Sequence, residues 1–392
     1  MANLAILFLA VERIYCSYSQ RMKKLHIVTS VTNDLSNDQR VRKICSTFMQ
    51  QGHTVFAVGR RLKSSNDRLK LLFQHHLLNV WWNKGPLFYL SYNIVLFLFL
   101  LRQKADVLIA NDLDTLLANF FVSKLRNIPL IYDSHEYFTE VPELKNKSFK
   151  RKIWLSIESY CLKRIQYAMT VSLPIQDVYK QKYGLKCELV RNFPNYKEDK
   201  SQTNVQNFPK IVLYQGALNR DRGLKELVKA VKFLTEDVHV WIAGRGDEYE
   251  ELLKLSQELA LGYRLSFLGH IEMDRLSEVT AKASLGLSIE KLDSLNYRYA
   301  LPNKVFDYIH AGVPVLYSPF TELDALLNNE YIGQALKSHD PKKLANQIQS
   351  MLTHNDHATW VVNCKKLAKE FTWEKEEDKL IKLLNLATQR KA

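Results

Sequence analysis

The chain has 392 residues, 46% hydrophobic and 24% charged, which is long enough for two separate cores and excludes a disordered or fibrous composition. Its five cysteines (Cys16, Cys45, Cys161, Cys187, Cys364) are odd in number, scattered and free of C-x-x-C spacing, which argues against a disulfide framework or zinc site and fits a reducing cytosol. The net charge of +14 is uneven: residues 22–190 carry 25 Lys+Arg against 13 Asp+Glu, whereas residues 191–392 carry 28 against 27, so an anionic ligand or surface is expected on the first half.

Residues 1–21 differ from the rest. The run 5–11 is apolar, but no cation precedes it and Glu12-Arg13 follows, unlike a signal peptide. Met22-Lys23-Lys24 leads into a strand, so the fold is expected to begin near Met22 and residues 1–21 to form an extension. Strands are predicted at 25–29 and 54–58 with an amphipathic helix at 38–51 between them. The apolar run 86–101 contains Asn93 and is shorter than the roughly 20 residues of a membrane span, so it is expected to be a buried or surface-lying helix. Further strands at 107–110, 130–132, 168–171 and 187–190 alternate with helices, the pattern of a parallel doubly wound sheet. Residues 196–208 read as a linker, and the alternation restarts with strands at 211–214, 238–243, 265–268, 285–288 and 314–317. A charged helix closes the chain at 371–392.

The expected architecture is α/β, with two Rossmann-like domains whose parallel sheets face each other across a cleft. Residues 22–195 form the first domain and residues 209–370 the second, and helix 371–392 returns to the first.

The segment 301–316 concentrates candidate chemistry. A helix opening on Pro302 and Asn303 points free N–H groups outward, and Lys304 and Asp307 lie within its first turns. One turn thus gathers N–H donors, a cation and a carboxylate, suited to a diphosphate and ribose hydroxyls. Gly216 follows a strand where backbone must approach a ligand or turn sharply, and Arg222-Gly223 opens the next helix, where an arginine needs an anionic partner. Arg220 is a weaker phosphate candidate. Gly244-x-Gly246 occupies a strand-to-helix loop but lacks the third glycine of a dinucleotide fingerprint, so no nicotinamide cofactor is expected. Asp112-Leu-Asp114 resembles a metal motif, but Asp114 reads better as a helix N-cap, and no metal is expected. Residues 145–152 are basic and feed a helix with Ile153, Trp154, Ile157 and Tyr160 on one face, suited to an anionic membrane surface. No nucleic-acid-binding module accompanies the charge, so nucleic acid is not an expected partner.

Taken in order, Gly216…Arg222-Gly223, Ala243-Gly244-x-Gly246 and Pro302-Asn-Lys-x-Phe-Asp-Tyr-x-x-Ala-Gly-x-Pro-Val315 resemble the donor half of retaining glycosyltransferases of family 4, which have the GT-B fold. Asp38-Gln-Arg-Val41, Asn111-Asp-Leu-Asp-Thr-Leu116, Tyr132-Asp-Ser-His-Glu136 and Arg191-Asn192-x-Pro194 resemble the first half in the same order. The resemblance spans about residues 24 to 385 and implies a nucleoside diphosphate sugar as donor, a lipid-linked or saccharide acceptor, retention of anomeric configuration, no metal and no bound cofactor. It implies a cytoplasmic protein touching the inner face of the membrane, in polysaccharide assembly by family habit.

On the same resemblance Arg222 and Lys304 would stabilise the leaving diphosphate and His135 would face the transferred sugar. Gly216, Gly244, Gly246, Asn303, Glu290 and Asp307 would surround the donor, Asp307 at the ribose. The family's signature is a pair of glutamates separated by seven residues. Asp307 holds the second place and Tyr299 the first, a departure that Lys304 and Glu290 would offset. A GT-B nucleotide-sugar epimerase and a non-catalytic sugar-nucleotide-binding protein are the alternatives.

Overall fold

The computed structural model describes residues 24–35, 38–62, 71–145, 147–197, 209–327 and 330–389. The expected extension 1–21, the start at Met22 and most of the 196–208 linker lie outside the described residues.

Two sheets of parallel strands organise the chain. The first contains β1 (His26–Ser30), β2 (Thr54–Arg60), β3 (Gln74–Leu78), β4 (Val107–Asn111), β5 (Leu130–Ser134), β6 (Tyr167–Thr170) and β7 (Cys187–Leu189), in the order β3-β2-β1-β4-β5-β6-β7. The second contains β8 (Lys210–Gln215), β9 (Val238–Ala243), β10 (Leu265–Gly269), β11 (Leu285–Ser288), β12 (Val315–Tyr317) and β13 (Gly333–Ala335), in the order β10-β9-β8-β11-β12-β13. Helices α1 (Gln39–Gln50), α2 (Gly85–Arg102), α3 (Leu113–Arg126), α4 (Ser148–Leu162) and α5 (Leu173–Tyr183) alternate with the first set of strands. Helices α6 (Leu224–Ala230), α7 (Tyr249–Glu258), α8 (Met273–Thr280), α9 (Leu295–Tyr299), α10 (Asn303–His310), α11 (Thr321–Leu327), α12 (Pro341–Leu352), α13 (His357–Leu367) and α14 (Trp373–Gln389) follow β8.

Compact units divide between Ile131 and Tyr132, with the residues from Ala387 belonging to the first. In the first unit β4 is buried along its whole length, as expected of a parallel strand covered on both faces. Asp38 caps α1 by accepting from the Val41 N–H at 3.1 Å. Asp114 is not the N-cap anticipated for α3. That helix starts at Leu113 with Asp112 as its cap residue at φ 58°, and Asp114 accepts from the Thr32 hydroxyl at 2.5 Å instead.

In the second unit the β8 side chains split between two layers. Val212 and Tyr214 join one apolar cluster with Leu227, Leu287 and Ile289, whereas Leu213 joins another with Val305, Phe306 and Phe371. The Tyr308 ring fills the space over Gly286, where a Cβ would stand 2.5 Å from the ring. Its hydroxyl donates to the Leu213 carbonyl at 2.9 Å and accepts from the Gln215 N–H at 3.2 Å, tying α10 to β8. Around Trp373, which opens α14, the chain is also closed: its N–H donates to the Pro194 carbonyl, and Glu376 accepts from the Arg191 N–H. Of the apolar stripe expected on α4, Ile153 and Tyr160 are exposed, but Trp154 turns inward and packs edge-on against Phe138.

Strands β3 and β13 had no counterpart among the predicted elements. Both are edge strands, one with the half-polar sequence QHHLL and the other only GQA, so neither carries a long apolar run.

Candidate active site

Strand order in the second sheet reverses between β8 and β11, and the loops leaving these adjacent strands open at the same carboxyl edge. The β8 loop carries Gly216 to Gly223, and the β11 loop begins with Ile289 and Glu290. The two are zipped together. Gly223 sits at φ 73°, and a Cβ there would stand 2.3 Å from the Ile289 carbonyl oxygen. The Lys291 N–H donates to the Asp221 carbonyl at 2.7 Å.

This zipper sets Arg222 beside Glu290. The Arg222 Nη1 donates to Glu290 Oε1 at 3.1 Å, and Lys304 Nζ, from the first turn of α10, donates to the same oxygen at 2.7 Å. The Ser288 hydroxyl donates to Oε2 at 2.8 Å. Glu290 is 1% exposed and Lys304 7%, while the Arg222 side chain keeps 25% of its surface in contact with solvent, so the site of net positive charge is dry around the carboxylate and open on the arginine side. Burial by itself would raise the Glu290 pKa, but Lys304 and Arg222 outweigh it and hold the carboxyl at about 2. Burial likewise opposes the Arg222 charge, yet Tyr214, Glu290 and Tyr297 outweigh it and raise its pKa above the usual arginine value. Aromatic faces complete the cage: Lys304 Nζ lies 3.9 Å from the Tyr214 ring centroid, and the Arg222 guanidinium carbon 5.0 Å from that of Tyr297. Arg222 Nε is buried and has no hydrogen-bond partner among the described residues.

The expected glycines pack loop against loop. Gly244, at φ 144°, lies so close to Gly216 that a Cβ would be 1.9 Å from its carbonyl oxygen. A Cβ on Gly246 would strike Leu218 and Asn219 at 2.5 Å. These glycines let the β8 and β9 loops nest on each other, while Gly216 itself borders the Lys304 ammonium.

Asp307 accepts from Gln215 Nε2 at 3.0 Å, and Gln215 in turn accepts from the Thr280 hydroxyl at 2.7 Å. Asn303 is exposed at the start of α10. Arg220 lines a polar cavity of about 710 Å³ with Lys147, Lys225 and Lys291, and its carbonyl accepts from the Tyr297 hydroxyl at 3.2 Å.

His135 follows β5. Its Nε2 pairs with Asp133 Oδ2 at 2.9 Å, Asp133 being fully buried. The next two residues are held by α9: Asn296 Nδ2 donates to Glu136 Oε2 at 3.1 Å, and Asn296 Oδ1 accepts from the Tyr137 N–H at 2.9 Å. Tyr299, in the place of the absent first glutamate, stacks on Tyr137 with centroids 6.3 Å apart and planes 14° from parallel. Thus α9 connects the His135 segment to Tyr297 and Arg222.

Residues 39–195 match the family described as Glycosyltransferase Family 4, and residues 195–386 match Glycosyl transferases group 1. The chain is a group 1 glycosyltransferase of the GT-B fold. An uncharacterized glycosyltransferase of Methanocaldococcus jannaschii is 22% identical to it over 189 residues, and the match spans about half of either chain, 47% of each. Among solved structures, the transferase resembles sucrose-phosphate synthase from Thermosynechococcus elongatus with a TM-score of 0.75 at 17% identity, covering 93% of this chain and 99% of that one. Anabaena HepE in complex with UDP and glucose gives a TM-score of 0.72 at 16% identity, covering 92% and 99%.

Sequence reasoning about the transferase did not single out Tyr214, Ser288, Asn296 or Tyr297. Ser288 and Asn296 stand two and six residues from Glu290, near enough to have been suspected. The aromatic pair carries no signal beyond composition, because nothing local distinguishes a ring that shields a cation from one in a core.

Proposed function

We propose that this transferase moves a glycosyl group from a nucleoside diphosphate sugar to a lipid-linked or saccharide acceptor, with retention of anomeric configuration and without a metal ion. The observation that carries the reading is the convergence of Arg222 and Lys304 on Glu290 at the carboxyl edge of β8 and β11. Breaking the bond from the anomeric carbon to the diphosphate leaves an oxocarbenium-like sugar and one additional negative charge developing on the leaving diphosphate. Preorganised cations and the first-turn N–H groups of α10 meet that charge without reorganisation. The acceptor oxygen bonds to the anomeric carbon on the face the diphosphate leaves, and its proton passes to the departing phosphate oxygen. Asp307 holds the ribose, and His135 contacts the sugar or the acceptor. HepE was crystallised with UDP and glucose, which supports a uridine diphosphate sugar as the first donor to try. We place the protein in the cytoplasm, at the inner face of the membrane, in the assembly of a polysaccharide.

A thermal-shift panel of UDP-, GDP-, ADP- and dTDP-sugars with and without Mg²⁺ tests the donor. One nucleotide class should stabilise the protein without metal. Arg222→Ala, Lys304→Ala and Asp307→Ala should each abolish turnover, and full activity in all three would refute this donor site. An epimerase would instead release a free sugar or sugar nucleotide with no acceptor present.

A further inference from the structure

Helix α2 presents two opposed apolar edges. Phe88, Tyr92, Leu96 and Leu100, four residues apart, are buried against the core. Leu87, Leu90, Ile94, Leu98 and Leu101, in steps of three and four, are 36% to 58% exposed. The window has a mean hydropathy of 1.5 and only 28% of it is buried, whereas the core helix of a soluble protein would be mostly buried. The helix is clamped by its inner edge: the Tyr92 hydroxyl donates to the Val31 carbonyl at 2.6 Å, and Asn93 bonds both the Asp114 carbonyl and the Ala118 N–H. Such a helix lies along a surface and does not cross a bilayer.

Trp81 and Trp82, 67% and 47% exposed, immediately precede it. Between residues 71 and 105 the chain carries Lys84, Arg102 and Lys104 and no Asp or Glu. Helix α3, bonded to α2 through Asn93 and Arg126, adds exposed Phe121, Leu125 and Lys124.

We propose that the outer face of α2, with Trp81 and Trp82, is the surface by which this protein docks on an anionic lipid bilayer. An apolar stripe edged by cations and indoles matches the interfacial region of a bilayer, where acyl chains meet anionic headgroups. A second copy of the chain fits worse, since a two-fold contact across this stripe would set Lys84, Arg102 and Lys104 against their own kind. The inference deepens the membrane-borne reading of function by naming α2, and not α4, as the contact.

The test uses the full chain and vesicles, without donor or acceptor. Sedimentation should show binding to vesicles of equal parts phosphatidylcholine and phosphatidylglycerol, with a blue shift of tryptophan emission. Leu90→Gln/Ile94→Gln/Leu98→Gln should lower the partition coefficient by about tenfold or more. Lys84→Gln/Lys104→Gln, which leaves the apolar stripe intact, should lower it by roughly fivefold for each cation lost. Both variants should keep the wild-type Tm, since the altered side chains face outward. No partition of the wild type, or a loss caused by Phe149→Gln/Ile153→Gln on α4 and not by the α2 variants, would overturn the proposal. So would a dimer in sedimentation velocity that the α2 variant dissolves. Turnover with a soluble acceptor is read separately, so failure of docking and failure of the transferase reading are distinct results.

Discussion

Glu290→Gln tests the electrostatic design of the site. The substitution keeps the shape and the oxygen that faces Lys304 and Arg222 but removes the charge that both cations share. With Glu290 1% exposed, two cations are then left close together beside a position from which water is largely excluded. Its pKa, held at about 2 against an ordinary 4.5, corresponds to roughly 3 kcal/mol of stabilisation. Removing one partner of a buried ion pair independently suggests about 3–5 kcal/mol. The expected loss in Tm is about 5 °C for a chain of this size. Because the variant's cations lack their internal partner, a nucleoside diphosphate should stabilise Glu290→Gln more than wild type. The assay is thermal unfolding at neutral pH with and without UDP and GDP. A variant as stable as wild type, or one that gains less from the diphosphate, would refute the argument that Glu290 neutralises these cations in the resting site.

Titration separates Glu290 from a second buried carboxylate, Glu158. Glu290 has a depressed pKa, so its contribution is complete above pH 4.5 and lost as pH falls toward about 2; wild type should therefore lose stability faster over that window than Glu290→Gln. Glu158 behaves oppositely: burial raises its pKa despite bonds from Tyr183 and Thr139, so its contribution is present below pH 4.5 and lost as pH rises through its folded value. Glu158→Gln keeps an acceptor for Tyr183 and should match or exceed wild-type Tm at pH 8, and a fall of several degrees would contradict this. Gly244→Ala should cost roughly 3 kcal/mol or more, from a Cβ 1.9 Å from the Gly216 oxygen at φ 144°, and weaken donor binding; a Tm within a degree of wild type would count against the nested-loop reading. Tyr308→Phe should cost about 1–3 kcal/mol in chemical denaturation, because it strands the Gln215 N–H and the Leu213 carbonyl.

Much of this protein was determined locally. Parallel strands covered on both faces appear as apolar runs such as Val-Leu-Ile-Ala at residues 107–110, and their alternation with helices specifies two doubly wound sheets without long-range information. Helix α10 was legible from Pro302 before it and Gly312 after it, and Arg222 and Lys304 were legible as cations at helix starts that needed an anionic partner. Strands β3 and β13 were not, since an edge strand is defined by its neighbour more than by its own side chains. Whether Glu290 reached the site could not be read from spacing either. That depended on β11 lying beside β8, a pairing between residues some seventy positions apart that exists only once the sheet order reverses. The same adjacency turned two separately suspected cations into one cage around a single carboxylate oxygen, and it turned Gly223 from a permissive turn into a point where backbone meets backbone, as the β8–β9 pairing did for Gly244. Charge type and helix ends follow from local chemistry. Which charges share a site follows from strand order, because only the folded sheet sets the distances over which their electrostatics act.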